Sequence, residues 1–298
     1  MKKRVTALML LGLLLTLLSP ALAESGNTVV TADFSDKFAD RFLAEGEAPI
    51  VEDMAYRSRD VSIEIKTYRE NNSDIYVADV YLRSLSALRR GFEGGEWKGT
   101  RQRMARITDM ALTSNAILAL TGDNAHNEKN SIVFENGVMR RKAKPNRQLC
   151  VIFMDGEMRT YKSSEITIKK LEQVGKPVWQ TFMFGPGLLD EEGHAYKTYK
   201  SKVGTANPRA AIGYYEPGHY CLIQVDGRGV KSLLEPGRAC TGMTLKELAD
   251  FMEGLGCKGA YNLDGGQSAM MWFNDRIISN PYKNGRGCGD IVYIPRTE

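Results

Sequence analysis

One stretch decides the fold of this chain: Tyr261-Asn262-Leu263-Asp264-Gly265-Gly266-Gln267-Ser268-Ala269-Met270-Met271-Trp272-Phe273. Two strand-like runs flank a polar loop with Asp264 at the bend. Asp-Gly-Gly between apolar runs is an ordinary hairpin signal. The same loop also suits a binding site, because glycine lets the backbone approach a ligand and consecutive amides can form an anion-binding concavity. Ser268 adds a hydroxyl that can donate or accept. Both interpretations, turn and site, stay open at this point.

A helix is predicted immediately before this stretch. Thr244-Leu245-Lys246-Glu247 is a capping box, and Gly254 and Gly256 mark the end of the helix. The apolar residues at helical spacing on one face are Leu245, Leu248, Ala249, Met252 and Leu255. We therefore expect this helix to pack its apolar face on a sheet and to lead the chain into the strand before Asp264.

The rest of the chain is rich in strand signals. Residues 61–65 and 75–82 alternate and form a predicted strand pair, and Asn136-Gly137 is a strong hairpin signal. Further predicted strands cover residues 116–120, 149–154, 158–161, 179–184, 209–215, 220–225 and 290–294. Many strands and a few helices predict an α+β fold with mixed β-sheets and several helices.

A second polar turn follows the buried run 116–120. It reads Thr121-Gly122-Asp123-Asn124-Ala125-His126. A carboxylate and an imidazole at the end of a buried strand favour a functional site, but Asp and Asn are equally common in a capped turn. His126 fits a proton carrier, with polar filling of a loop as the more ordinary interpretation.

The first 23 residues are typical of a secretory signal peptide. Lys2, Lys3 and Arg4 precede an apolar run, and Ala21-Leu22-Ala23 is a small-x-small cleavage pattern. The alternative is a membrane anchor, but a span needs about 20 apolar residues. We predict a signal peptide over residues 1–23, a leader over 24–59 and one large domain over 60–298. The predicted location is secreted or at the cell surface, in the envelope, with no transmembrane segment after cleavage.

Charge and cysteine content narrow the function classes. Loss of the signal peptide leaves 37 basic residues against 36 acidic ones, so nothing favours nucleic-acid binding. The basic stretches 89–106 and 140–147 are predicted to be solvated, with contact to an anionic polymer as the alternative for the second. The five cysteines have no Cys-x-x-Cys spacing, and most of them are predicted to be buried thiols; a disulfide in an exported protein is the alternative.

Several motifs together resemble the phosphodiester glycosidase family. They occur in the order of the family and cover roughly residues 60–298: Ala119–Asp123, Phe184–Leu189, Pro208–Gly213, Val225–Arg228, the helix Met243–Leu255, Asn262–Ser268, Ser279–Pro281 and Arg286–Ile294. The chain departs from the family pattern in three places. Thr121 stands where Asn is common, Asn124-Ala125-His126 replaces an aromatic pair, and Gln267 replaces a frequent third Gly.

This resemblance implies hydrolysis of a sugar 1-phosphodiester. Positive charge develops at the anomeric carbon, and a carboxylate stabilises it, activates water or attacks directly. Asp264 and Asp123 are the candidate carboxylates, and Arg209 is the candidate bidentate partner of the phosphate. The candidate substrate-binding residues are Asn262, Gly265, Gly266, Ser268, Gly122 and Arg286.

The expected partner is a sugar phosphodiester or an anionic glycan. No nucleotide, flavin or haem motif occurs, so no organic cofactor is predicted. Asp123, Asp226, Asp264 and Asp290 offer oxygen ligands for calcium, but without calcium-loop spacing the metal assignment stays open. The alternative function is a non-catalytic surface protein that binds or assembles an anionic exopolysaccharide. The presence of both Asp123 and Asp264 favours an enzyme.

Overall fold

The computed structural model describes residues 31–199 and 201–297, so the predicted signal peptide lies outside the described residues. None of the helices in these two ranges has the length and apolar character needed to cross a membrane. The helices are α1 (Ile107–Thr113), α2 (Ile168–Gln173) and α3 (Leu245–Gly254). The strands are β1 (Ile50–Val51), β2 (Ala55–Arg57), β3 (Val61–Glu70), β4 (Ser73–Leu82), β5 (Arg89–Phe92), β6 (Ala116–Thr121), β7 (Ile132–Glu135), β8 (Val138–Lys142), β9 (Leu149–Phe153), β10 (Met158–Tyr161), β11 (Val178–Phe182), β12 (Arg209–Glu216), β13 (His219–Val225), β14 (Val230–Lys231), β15 (Ala239–Cys240), β16 (Gly259–Asn262), β17 (Met271–Phe273), β18 (Arg276–Ile277) and β19 (Asp290–Pro295).

Two large sheets form the body. The first has the order β1-β2-β3-β4-β13-β12-β16, and the second has the order β18-β17-β6-β19-β5. A three-stranded sheet (β10-β9-β11) and the pairs β7-β8 and β14-β15 complete the set. The paired strands run antiparallel. The α+β class is confirmed, with short helices and dominant sheets.

The strand pairs predicted from turn chemistry are confirmed. β3 pairs with β4 over its whole length, and β7 pairs with β8. Asn136 and Gly137, between β7 and β8, have φ values of 48° and 84°, as a tight hairpin turn requires.

The main core lies between the seven-stranded sheet and the two sheets that face it. Alternate residues of β4 point in opposite directions, so Tyr76 and Ala78 face this core while Ile75 and Val77 face the other side. The second side is covered by α3. Buried thiols were predicted for most of the cysteines, and all five are buried free thiols; the sulfur atoms of Cys221 and Cys257 lie 3.7 Å apart.

Helix α3 begins and ends where the sequence predicts. The Thr244 side chain accepts a hydrogen bond from Glu247 N at 3.2 Å, and the Glu247 carboxylate accepts one from Thr244 N at 2.7 Å. Both halves of the capping box are therefore formed. Its buried face includes Leu248, which is fully enclosed between the helix and the large sheet.

Replacing Leu248 by alanine should therefore remove core contacts and leave a cavity. We expect Leu248→Ala to lower the free energy of unfolding by about 2–5 kcal/mol, measured by urea denaturation. Lys246→Ala on the exposed face of the same helix is the control and should cost roughly 0.5 kcal/mol or less. A loss well under 1 kcal/mol for Leu248→Ala would mean that this face does not carry core packing.

The segment assigned to the leader is part of the folded body where it is described. Phe34, Phe38 and Phe42 are buried in the main core, and β1 and β2 extend the seven-stranded sheet. These side chains therefore share one core with residues that follow position 60. Phe34 and Phe38 pack near Gly218, at the opposite end of β13 from Asp226.

Candidate active site

Three polar loops meet where strands of the two large sheets end. The Asp264 amide donates to Gly122 O at 2.9 Å, and the Gly122 amide donates to Asp290 O at 3.0 Å. These bonds join the turn after β16 to the turn after β6 and to the start of β19. The antiparallel pairing of β6 with β19 thus brings Asp123, Asp264 and Asp290 into one group.

Asp264 is the least enclosed carboxylate of this group. It is 7% exposed, and burial raises its pKa to about 6. A hydrogen bond from Ser268 and the charge of Arg286 act in the opposite direction, while the nearby Asp123 raises the pKa further. A carboxyl group that changes protonation near neutral pH inside a loop site is suited to proton transfer or to attack.

Ser268 connects this carboxylate to a cation. Its hydroxyl accepts a hydrogen bond from Arg286 Nε at 2.9 Å and lies close enough to Asp264 to lower the pKa of that carboxyl. Thr121 fixes the same loop, because its hydroxyl donates to Ser268 O and accepts from Met270 N at 3.2 Å. This role accounts for a hydroxyl at position 121, where the family commonly has Asn.

Two of the amides expected to form an anion cradle already have partners. The Gly266 amide donates to Pro208 O, just before β12, at 2.8 Å, and the Ser268 amide donates to Gly265 O at 3.2 Å. The second of these bonds belongs to the 3-10 turn over Gly266–Ser268. These two amides are therefore not free to bind an anion.

Arg228 is a site residue that sequence reasoning missed. A β-carbon at Gly266, where φ is +63°, would lie 3.0 Å from Arg228 Nη2. The guanidinium is held by Asn207 Oδ1 at 3.1 and 3.0 Å and lies over the Tyr282 ring. Arg228 and Arg286 are both exposed, so two cations border the Asp264 loop. The turn Asp226-Gly227-Arg228 was the available signal, since a polar turn that ends a buried strand is a typical place for a site residue.

Asp123 is held more firmly than Asp264. Its Oδ2 accepts from Met183 N at 2.8 Å and its Oδ1 accepts from Phe184 N at 2.7 Å. Arg90 Nη2 lies 3.5 Å from Oδ2. With both oxygens occupied and the residue 1% exposed, Asp123 anchors the Phe184–Gly187 segment beside the site.

Arg90 overturns part of the prediction for the basic stretch 89–106. Its side chain is fully buried, with Nε 2.6 Å from Asp290 Oδ2 and Nη1 2.8 Å from Thr181 O. Burial raises the pKa of Asp290 to about 7. The nearby Asp123 acts in the same direction, and Arg90 acts in the opposite one. Because side chains alternate along β5, Arg90 points inward while Arg89 stays exposed. The six basic residues spread over 89–106 made the whole stretch look solvated, so the burial of Arg90 was not predicted.

Three further predicted residues lie around the group. Asn262 Nδ2 donates to Gly185 O at 2.8 Å, and Asn262 Oδ1 is buried without a partner among the described residues. Gly122 is required because a β-carbon there would lie 2.6 Å from Asp290 Oδ2. His126 is buried against Gly289, and burial lowers its pKa. It is therefore an enclosed neutral imidazole at neutral pH.

The structure does not bring the Arg209 guanidinium to Asp264. Arg209 shares its side of β12 with Ala211, which packs towards α3. Its Nε donates to Met243 O at 2.8 Å, and its Nη2 donates to Val203 O at 2.8 Å and to Thr205 O at 2.5 Å. Burial lowers its pKa to about 10. This arginine ties a loop to the turn before α3, so phosphate contact by Arg209 is not supported by its geometry.

The four aspartates considered for calcium are also separated. Asp226 faces Asp74 and Cys240, whereas Asp264 and Asp290 face Asp123. Alternation along β13 sets the direction of Asp226.

A cavity of about 660 Å³ adjoins the Phe184–Gly187 segment. The segment links the cavity to the carboxylate group, because Phe184 N binds Asp123 and Gly185 O binds Asn262. The cationic and aromatic residues that line it are Arg147, Lys162, Lys202, Phe184, Tyr196 and Tyr199.

Comparison with known proteins matches the chain to one family. The sequence profile described as phosphodiester glycosidase matches residues 114–294, more than half of the chain. This range includes Asp123, Arg228, Asp264, Arg286 and Asp290.

Solved structures share the fold. The catalytic domain of zebrafish N-acetylglucosamine-1-phosphodiester alpha-N-acetylglucosaminidase, auto-inhibited by its pro-peptide, superposes with a TM-score of 0.61 at 17% identity, over 86% of this chain and 87% of that one. A protein from Synechocystis described as hypothetical gives a TM-score of 0.59 at 14% identity, over 85% and 65%. At these identities the likeness concerns the fold alone.

One curated relative matches in sequence. The SPbeta prophage-derived uncharacterized protein YomE of Bacillus subtilis (strain 168) is 26% identical over 182 residues, which is 58% of this chain and 27% of that protein. The chain thus spans about a quarter of the length of this relative.

Proposed function

This chain belongs to the phosphodiester glycosidase family, and from that premise we propose that it hydrolyses a sugar 1-phosphodiester, releasing a free sugar and a phosphomonoester. One observation carries the proposal. Asp264, with its pKa raised to about 6 by burial, lies on a loop bordered by the exposed cations Arg228 and Arg286. A carboxylate beside two guanidinium groups matches a substrate that has an anomeric carbon joined to a phosphate.

The carboxylate of Asp264 and the guanidinium groups of Arg228 and Arg286 have separate tasks. Phosphate is a weak base, so its departure needs neutralisation of charge more than protonation. Arg228 and Arg286 supply that neutralisation, since guanidinium groups bind phosphate oxygens in a planar fork. Ionised Asp264 supports attack at the anomeric carbon, either directly or through water. The configuration of the released sugar distinguishes the two routes, because direct attack retains it and activation of water inverts it.

Asp123 is a positioning residue in this proposal. Its oxygens are taken by Met183 N, Phe184 N and Arg90. It therefore holds the Phe184–Gly187 segment, and the cavity next to that segment accommodates the rest of the substrate. Arg147, Lys162 and Lys202 at this cavity suit an anionic glycan.

The physiological setting belongs to the same proposal. The basic, apolar and small-x-small pattern of residues 1–23 supports export to the envelope or the exterior, where polymers with sugar phosphodiesters occur. The substrate class is then an envelope or extracellular glycan. Edman sequencing of the exported protein would locate the cleavage point, with Glu24 as the expected first residue.

A panel of sugar 1-phosphodiesters tests the activity. We expect release of sugar and phosphomonoester in equal amounts, with ¹⁸O from labelled water entering the sugar because the bond to the anomeric carbon breaks. Arg228→Gln and Arg286→Gln should each lower kcat/KM by roughly 10-fold or more, as expected for loss of a charge-assisted hydrogen bond worth about 1.5–3 kcal/mol. Arg276→Gln, an exposed arginine paired with Asp53, is the control and should leave kcat/KM unchanged.

Two outcomes would contradict the proposal. Entry of ¹⁸O into the phosphate would indicate a phosphodiesterase that cleaves the P–O bond. Absence of turnover, combined with binding of anionic polysaccharide that Asp264→Asn leaves intact, would support the non-catalytic exopolysaccharide-binding protein instead.

A further inference from the structure

A second group of buried polar residues lies at the end of β13, outside the carboxylate group described above. Asp74, Asp226 and Cys240 are all fully buried, and one ligand atom from each lies within 4.8 Å of the other two. The Asp226 amide donates to Asp74 O at 2.9 Å, which fixes the two residues side by side. Two carboxylates and a thiol enclosed together are costly unless something compensates their charge.

Two buried side chains on the same side of the sheet, Tyr76 and Gln224, each have one polar atom without a hydrogen-bond partner among the described residues. Tyr76 and Gln224 lie directly opposite each other on β4 and β13. Because side chains alternate, Tyr76 faces the same side as Asp74, and Gln224 the same side as Asp226. Gln224 Nε2 donates to Asp226 at 3.0 Å, but its Oε1 has no partner, and neither has the Tyr76 hydroxyl, among the described residues.

The negative charge of this group is only partly neutralised by cationic side chains of the described residues. Arg69 Nη1 lies 3.6 Å from Asp74 Oδ1 and 3.9 Å from the Cys240 sulfur. Asp226 forms no ion pair with the part of the chain that the structure describes, and it is held by amide donors from Gln224 and Asn280. One guanidinium therefore faces two carboxylates and a thiol.

We propose that Asp74, Asp226 and Cys240 form a structural metal site for a zinc-like divalent cation, with the unpartnered oxygens of Gln224 and Tyr76 beside it. Thiolate and carboxylate are zinc ligands with bond lengths of about 2.0–2.3 Å, so small side-chain rotations bring the three atoms into range. Calcium prefers six to eight oxygen ligands, and a thiolate favours a softer ion. Binding releases the thiol proton of Cys240 to solvent, and the metal takes its place.

The surrounding hydrogen bonds resemble those that orient metal ligands. Asp74 accepts from Ser232 Oγ at 2.7 Å, from Leu233 N at 2.7 Å and from Leu234 N at 3.2 Å, which fixes the orientation of its carboxylate. Such outer contacts set ligand orientation and affinity. The site also joins the turn that carries Arg228 to the loop that follows Asn280, so an ion here would fix both loops that hold the cations of the active site.

Metal analysis of the full chain tests the proposal directly. The purified protein is treated with a chelator and titrated with Zn²⁺ alone at pH 7.5. We expect one equivalent bound and a rise in Tm. Co²⁺ in place of Zn²⁺ should give a thiolate-to-cobalt charge-transfer band, and Cys240→Ser should remove that band. Cys150→Ala, a buried thiol elsewhere in the core, should keep both the band and the stoichiometry.

Two conservative variants keep the result interpretable. Asp226→Asn should abolish the equivalent of Zn²⁺ and the rise in Tm. Tyr76→Phe removes only the hydroxyl and should weaken binding by roughly 10–100-fold if that hydroxyl supports the ligands. The proposal fails if Zn²⁺ does not bind stoichiometrically and Asp226→Asn leaves Tm unchanged or raises it. That pattern would mean that Asp226 is a buried protonated acid, whose pKa is raised to about 7 by burial and by Asp74.

Discussion

Asp264→Asn is expected to reduce kcat for a sugar 1-phosphodiester by about 10²–10⁴-fold, the usual range for removing a general acid or base. Asparagine keeps the size of the side chain and its hydrogen bond with Ser268 but cannot ionise. Substrate affinity should change far less, because Arg228 and Arg286 still bind the phosphate. A steady-state comparison of kcat and KM separates the two effects.

The pH profile gives an independent check on the same residue. Burial raises the pKa of Asp264 to about 6, and the proposed mechanism uses the ionised form. Activity should therefore rise from pH 5 to pH 7, with a midpoint near 6 in kcat/KM. Ser268→Ala removes the hydrogen bond that lowers this pKa, so its midpoint should move to higher pH.

These measurements can contradict the assignment in different ways. Full activity of Asp264→Asn would mean that another group carries the reaction, with Asp290 as the next carboxyl in the group. Activity that falls as pH rises through 6 would mean that protonated Asp264 is the working form. A Ser268→Ala profile identical to wild type would show that the Arg286–Ser268–Asp264 contacts do not tune the acid.

Local sequence patterns predicted much of this fold because each pattern has a short-range cause. The capping box before Leu245 satisfies amides within one turn, and Asn136-Gly137 accommodates positive φ within one hairpin. Asp264 and Asp123 could be identified in the same manner, as acids next to glycine at the ends of apolar strands. The sequence did not show that these two acids lie close together. That proximity depends on the hydrogen bond from Asp264 N to Gly122 O, which joins residues 142 positions apart.

The direction of an arginine side chain could not be predicted from its position. Arg209 and Arg90 both occupy strands where alternation decides which layer they enter, and register is set by distant partners. Arg209 points towards α3 and Arg90 points into the protein interior, whereas Arg228 lies beside the Asp264 loop because it belongs to the turn after β13. Asp226 likewise follows β13 to Asp74 and Cys240, which are 152 and 14 positions away along the chain.

Arg90→Met is expected to be the most destabilising change in this region. Methionine fills most of the volume but leaves Asp290 and Asp123 without their shared buried cation. Breaking a buried ion pair by removing one partner costs about 3–5 kcal/mol, so urea denaturation at pH 7.5 should show a loss in that range. Arg89→Met, at the exposed neighbouring position of β5, is the control and should change stability by roughly 0.5 kcal/mol or less.

The pH dependence of this loss identifies its cause. Burial already raises the pKa of Asp290 to about 7, and Arg90 opposes that rise; without Arg90 the folded-state pKa must increase further. A carboxyl group whose folded pKa exceeds its unfolded value of about 3.9 destabilises the fold above that pH, and protonation relieves the penalty as pH falls. The difference between Arg90→Met and wild type should therefore shrink from pH 7.5 to pH 5, and Asp290→Asn in the Arg90→Met background should restore part of the lost stability. A loss that is independent of pH and unaffected by Asp290→Asn would assign the role of Arg90 to packing against Phe92 and Phe182 instead of to charge.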